Sequence, residues 1–186
     1  MLKIQNKKLD GIVCLDDKSD LTKASFIASN IFGNRIKIEK FAERSINLNK
    51  ELINLFLLIT VKGGEINLEG KEEFLPLFLT TASFAVAKTN FVGVDLTAKN
   101  TLDTIRVLKE LGVLIEIKED KIEVDGRGLV RGKEIDATNL ENSLVFALII
   151  AGTVSFGEIS LINLKENEEL KEFIKVFESL GGVVVF

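Results

Sequence analysis

The chain has 186 residues, 46% of them apolar, enough to bury a real core in one to two domains. Its 28 acidic and 24 basic side chains give a formal charge of −4, which excludes the basic footprint of a nucleic-acid partner and offers anionic metabolites no general attraction. With no His, Trp or Tyr and one Cys, it has no imidazole triad, no His-ligated metal and no internal disulfide framework, so Lys, Arg, Asp, Glu, Ser and Thr carry any catalysis.

Met1 to Gln5 and Gly11 to Leu15 read as strands, with Cys14 a small core residue between apolar neighbours. Residues 19–32 are apolar nearly all round (Leu21, Ala24, Phe26, Ile27, Ala28, Ile31, Phe32) and predict a fully buried helix with Ser19 as its N-cap. Arg35 to Phe41 alternates as a strand. A second helix follows at about 46–61, stopped by Gly63-Gly64, with short strands at Glu65 to Leu68 and near Gly70. Residues 74–88 predict another very apolar helix, Pro76 being tolerated in its first turn. Phe91 to Leu96 reads as a strand. The helix near 100–111 presents Ile105, Leu108 and Leu111 on one face and ends at Gly112. Ile115 to Lys118 and Lys121 to Val124 form a hairpin across Glu119-Asp120. An apolar helix covers about 141–152, Glu158 to Asn163 is a strand, and residues 165–180 form an amphipathic helix ended by Gly181-Gly182. Val183 to Phe186 closes the series as a strand.

Three stretches therefore share one order: buried helix, strand, amphipathic helix, glycine, strand. Their expected bounds are about 16–71, 72–130 and 131–186, within a single domain spanning 1–186. Strands 1–15 are expected to complete the third unit's sheet beside Val183 to Phe186. No roughly 18-residue apolar run suggests a membrane span, and Met1 to Lys8 lacks the apolar core of a secretory signal, so the expected location is the cytoplasm with no membrane partner. Gly126-Arg127-Gly128 follows a strand but precedes no helix, and reads as a turn.

The strand ending at Leu15 delivers Asp16-Asp17-Lys18-Ser19 onto a helix, with Lys23 and Ala24 inside it and Gly33 beyond it. This resembles the opening of 5-enolpyruvylshikimate-3-phosphate synthases, whose strand leads through Asp-Lys-Ser into a helix beginning Ser-x-Ser-His-Arg-Ala. A second segment, Leu164-Lys165-Glu166-Asn167-Glu168-Glu169-Leu170, resembles the family's Val-Lys-Glu-Ser-Asp-Arg-Ile. The repeat plan is similar to one globular half of an enolpyruvyl transferase: an α/β fold of three βαβαββ-like units, with buried central helices and outer sheets.

The resemblance implies transfer of enolpyruvyl from phosphoenolpyruvate to the 5-hydroxyl of shikimate-3-phosphate, with no cofactor and no metal. Lys18 would contact both phosphorylated substrates, Ser19 and Lys23 would hold the shikimate phosphate, and Lys165 and Glu166 would carry protons. Point-charge ammoniums suit phosphates, and a carboxylate beside cations can carry a proton without histidine. Both motifs lie at predicted helix N-termini, which favour anions. The chain also departs from the family pattern. Thr22-Lys23 replaces His-Arg, Glu169 stands where the family has an Arg for phosphoenolpyruvate, and Ser143 falls where it has a catalytic Asp. The family's site lies between two halves, which a homodimer with facing half-sites could restore. The alternative is a non-enzymatic binding or scaffold protein with the same fold, a reading favoured by Glu169 and Ser143.

Overall fold

Helices apolar on every face must be surrounded by other elements, and this requirement organises the molecule. The structure, a computed structural model, describes residues 1–39, 46–127 and 130–185, with backbone alone for 46–49. In chain order the elements are β1 (Leu2–Ile4), β2 (Asp10–Cys14), α1 (Asp20–Ile31), β3 (Arg35–Glu39), α2 (Ile46–Val61) and β4 (Gly64–Asn67). A 3-10 turn at Glu72–Phe74 leads to α3 (Leu75–Ser83), followed by β5 (Lys88–Val92), α4 (Lys99–Glu110), β6 (Leu114–Lys118) and β7 (Lys121–Asp125). The last are β8 (Glu134–Asp136), α5 (Asn142–Gly152), β9 (Ile159–Ile162), α6 (Glu168–Ser179) and β10 (Val184–Val185). The fold is α/β, with α1, α3 and α5 inside and sheets outside. All nine residues of α3 and ten of the eleven in α5 are buried. No helix among the described residues is long and apolar enough to cross a membrane.

Two four-stranded sheets, ordered β4-β5-β7-β6 and β8-β9-β1-β10, share one connectivity. In each, the first two strands are parallel around a buried helix, and the second pairs antiparallel with the third. The N-terminal strand β1 thus sits where β7 sits in the other sheet, in register with β9 (Ile4 opposite Ile159) and β10 (Ile4 opposite Val184). This is the place expected for Met1 to Gln5. Gly11 to Leu15 does not join it. Instead β2 pairs parallel with β3 in a sheet of its own, because consecutive strands flanking a buried helix are brought side by side.

Among the described residues that two-stranded sheet has no hairpin. The predicted strand near Gly70 is a turn: Asn67 Oδ1 accepts from the Glu69 amide at 2.9 Å, and Gly70 has φ +72°. The strand expected to close the first unit, β4, pairs with β5 and opens the next sheet. The edge of β3 away from β2 pairs with no other strand among the described residues and is met by a side chain instead. Asn30 accepts from the Ile36 amide at 2.8 Å and donates to its carbonyl at 3.0 Å, doing for one residue what a neighbouring strand would do.

Other expectations shift for local reasons. Cys14 is exposed, because the alternation of β2 sends Val13 inward and leaves Ile12 and Cys14 on the outer face. The helix predicted over 74–88 ends at Ser83. The chain then tightens through 3-10-type bonds from Phe84 to Thr81 and from Ala85 to Ala82, and Val86 is 87% exposed. The strand expected at Phe91 to Leu96 runs over Lys88–Val92, cut off by Gly93 at φ +70°. Strand β8 is not among the expected strands; only three residues long, it buries Ile135 between exposed Glu134 and Asp136. Lys40, Phe41, Gly128 and Phe186 of the predicted elements lie outside the described residues.

The C-terminal ends of the inner helices meet at Asn34, which is 5% exposed. Its Oδ1 accepts from the Leu9 amide at 2.7 Å, and its Nδ2 donates to Ser29 O at 3.1 Å, Ser29 Oγ at 2.8 Å and Thr153 Oγ1 at 3.1 Å. Beside it the rings of Phe32 and Phe84 lie 4.7 Å apart, joining α1 to α3. Asn34→Ala strands a buried amide and removes these bonds, so it is expected to cost about 2–3 kcal/mol in urea unfolding with an unchanged slope. A loss below about 0.5 kcal/mol would contradict this role.

Candidate functional site

Parallel packing of α1 and α5 brings their N-termini to the same end, and α6 starts there too. The turn before α1 places Ser19 as N-cap, its Oγ accepting from the Thr22 amide at 3.2 Å. The Ser19 hydroxyl also lies 2.9 Å from Glu169 Oε1 and 3.1 Å from Thr22 Oγ1. A carboxylate only accepts, so the Ser19 proton goes to Glu169 and Thr22 donates to Ser19. The other Glu169 oxygen accepts from Asn142 Nδ2 at 2.6 Å. One carboxylate in the first turn of α6 therefore spans the first residues of α1 and α5.

The cations of the first motif are also held by acids. Lys18, with its side chain 20% exposed, lies 3.0 Å from Asp17 Oδ2 and 3.8 Å from Glu172 Oε2. The hydrogen bond that Lys18 donates to Asp17 raises the Lys18 pKa above its ordinary value, and the same bond lowers that of Asp17. Lys23 is buried in α1, with its Nζ 3.2 Å from Asp20 Oδ1. Four carboxylates, Asp17, Asp20, Glu169 and Glu172, thus touch Lys18, Ser19 and Lys23. Asp20 and Glu169 each sit within the first turn of a helix, where the dipole favours negative charge.

The second motif is placed less as expected. The helix predicted from 165 begins at Glu168, because Asn167 caps it by accepting from the Leu170 amide at 2.9 Å. Lys165 and Glu166 consequently lie in the loop before α6 and are exposed. Lys165 reaches Asn139 Oδ1 at 3.3 Å, and no hydrogen bond or ion pair joins Lys165 or Glu166 to Lys18 or Ser19 among the described residues. Ser143 is buried and accepts a long contact from Asn100 Nδ2 at 3.4 Å.

The structure brings together Lys18, Ser19 and the start of α6, and adds Asn142 and Glu172, which sequence reasoning missed. Asn142 and Asn167 also exchange amide contacts at 2.9 and 3.4 Å, tying α5 to α6. Neither residue carries a local signal beyond helix-start propensity, since their roles arise from the packing of distant segments. At Gly126-Arg127 the guanidinium folds back on Asp125, holding that carboxylate far below its usual range, as befits a turn. No group of His, Cys, Asp or Glu among the described residues is arranged to hold a metal ion.

No protein-family model matches the chain. Among curated proteins it is similar to the 3-phosphoshikimate 1-carboxyvinyltransferase of Methanococcus maripaludis strain C5, at 26% identity over 150 residues, covering 70% of this chain and 34% of that protein. The enzyme of the same name from Methanocaldococcus jannaschii is 25% identical over 172 residues, covering 88% of this chain and 40% of that protein. The chain therefore spans only about a third to two fifths of these relatives. Among solved structures it superposes on EPSP synthase from Acinetobacter baumannii with TM-score 0.70 and 15% identity, covering 89% of this chain and 46% of that one. It also superposes on the enolpyruvyl transferase NikO from Streptomyces tendae with TM-score 0.68 and 14% identity, covering 90% and 44%. The fold is thus that of about half an enolpyruvyl transferase, and the sequence likeness is to EPSP synthases.

Ser19→Ala removes both the cap and the Glu169 contact, and is expected to cost about 1 kcal/mol in urea unfolding; no loss would contradict this role. Asp17→Asn is expected to lower the Lys18 pKa toward the ordinary lysine value, read from the titration of its Cε resonance. An unchanged titration would contradict the pairing. Because the folded-state pKa of Lys18 is raised and that of Asp17 lowered, the pair's contribution to stability is fully present between their unfolded values, and disappears as pH rises through the folded Lys18 value or falls through the folded Asp17 value.

Proposed function

We propose that the chain acts in enolpyruvyl transfer as one wall of an EPSP-synthase-like site, with phosphoenolpyruvate and shikimate-3-phosphate as substrates. One observation carries this reading: the two family-like segments, about 150 positions apart, meet at the Ser19–Glu169 contact of 2.9 Å. In the reaction the 5-hydroxyl gives its proton to a base as its oxygen adds to C2 of phosphoenolpyruvate and an acid protonates C3; the C2–phosphate bond then breaks as a base takes a C3 proton, releasing phosphate and restoring the enol ether. Lys18 neutralises substrate phosphate as a point charge, Ser19 donates its hydroxyl, and Lys23 supports the same end of α1. Glu166 and Lys165, exposed in the loop before α6, are the proton carriers.

Ligand entry requires Lys18 to exchange Asp17 and Glu172 for phosphate. Ion pairs with solvent-exposed carboxylates contribute little, so the exchange is inexpensive. Turnover also needs a facing wall, which a second copy in a homodimer or another polypeptide would supply. A second reading, a non-catalytic binding or scaffold protein, is favoured by the Glu169 carboxylate standing where the family resemblance places a cation for phosphoenolpyruvate.

Calorimetry with shikimate-3-phosphate, with and without phosphoenolpyruvate, tests both readings. Saturable binding that weakens at least about tenfold, or 1.4 kcal/mol, in Lys18→Ala supports the site. Release of inorganic phosphate from the two substrates together supports turnover, and binding without release supports the second reading. No heat at millimolar ligand from either the wild type or Glu169→Ala would sink the substrate assignment.

A further inference from the structure

We infer that Glu169 is a resident anion that closes this wall to external oxyanions until the first turn of α6 releases it. The inference rests on the reading of the α1 turn as a phosphate contact, and adds to it a built-in competitor. Its basis is the pair of bonds from Ser19 Oγ and Asn142 Nδ2 to the two oxygens of one carboxylate, at 2.9 and 2.6 Å. These are charge-assisted contacts from neutral donors, a pattern that a ligand phosphate or carboxylate would also use.

The tether makes the competition effective. Asn167 caps α6 through the Leu170 amide and exchanges amide contacts with Asn142, so the backbone beside Glu169 is fixed to the N-terminus of α5. A carboxylate held in this way competes at an effective concentration of about millimolar or higher, without the entropic cost of bringing in a separate molecule. The surrounding acids add repulsion: Glu172 and Asp17 flank Lys18, and Asp20 occupies the first turn of α1. A phosphate arriving at Ser19 must displace one anion and approach three more.

Release has a defined route. Glu169 is half-buried, and its neighbour Glu168 is exposed and paired with Lys171 at 2.9 Å on the outer face of the same turn. Rotation of the Glu169 side chain toward solvent frees Ser19 and Asn142 without unwinding α6. A facing wall that offered Glu169 a cation would favour that rotation, coupling assembly of the cleft to opening of the seat.

The test is titration of the full chain with inorganic phosphate at constant ionic strength, followed by the amide resonances of Ser19 and Thr22. Wild type is expected to show no saturable shift below about 10 mM phosphate. Glu169→Ala is expected to bind at least about tenfold more tightly, and Glu169→Ala with Ser19→Ala to lose that gain. Glu168→Ala removes one charge from the same turn outside the seat, and is expected to match wild type within about twofold. If Glu169→Ala does not fold, Glu169→Gln, which keeps the size and one acceptor, is expected to give a smaller gain in the same direction. Equal binding by wild type and Glu169→Ala, or an equal gain in Glu168→Ala, would overturn the inference while leaving the phosphate contact standing. Absence of binding in every variant would overturn both.

Discussion

The structure depends on one constraint: α1, α3 and α5 are too apolar to face water and must be buried against one another. Parallel packing meets this need, with Phe32 against Phe84 and Asn34 bonded to Thr153 at one end. Amphipathic α4 and α6 then cover the inner helices with one face each, burying Ile105 and Leu108, and Leu170, Phe173 and Phe177. Sheets close the remaining sides. The site follows directly, because parallel helices that end together also begin together. Ser19, Asn142 and Glu169 are neighbours for this reason, although they come from opposite parts of the sequence.

Where side-chain period and glycine placement carry the signal, the fold was legible. The helix faces of α4 and α6, the hairpin β6–β7 and the stops at Gly63-Gly64 and Gly112 are all local features. Pairing was less legible, because a strand's partner is chosen by the helix between strands and by what is left uncovered. This explains why β2 joins β3 rather than β10, and why Cys14 is exposed. An unbroken apolar run also hides its own end: α3 stops at Ser83 although Phe84, Ala85 and Val86 continue the composition. At the site, the Ser19 cap was readable from the turn before a helix. The Glu169 bridge was not, since it needs Asn142 and Ser19 to be brought together by tertiary packing.

Electrostatically the wall is self-contained. Lys18 and Lys23 contact Asp17, Glu172 and Asp20, and the helix N-termini are already supplied with carboxylates. Such an arrangement favours folding more than capture of a highly charged ligand. The cations and the hydroxyl of this turn are kept satisfied by carboxylates of their own chain.

The position of β1 has a consequence for the order in which the molecule can be made. This strand is one of two inner members of a sheet whose other members, β8, β9 and β10, lie between Glu134 and Val185. On a ribosome these partners follow it by well over a hundred residues, so β1 emerges long before them. Its Leu2 and Ile4, both fully buried at the end, are covered in this sheet only once those partners have been made. The β4–β7 sheet can form earlier from contiguous sequence, and closure of the last sheet around β1 becomes a late, long-range step.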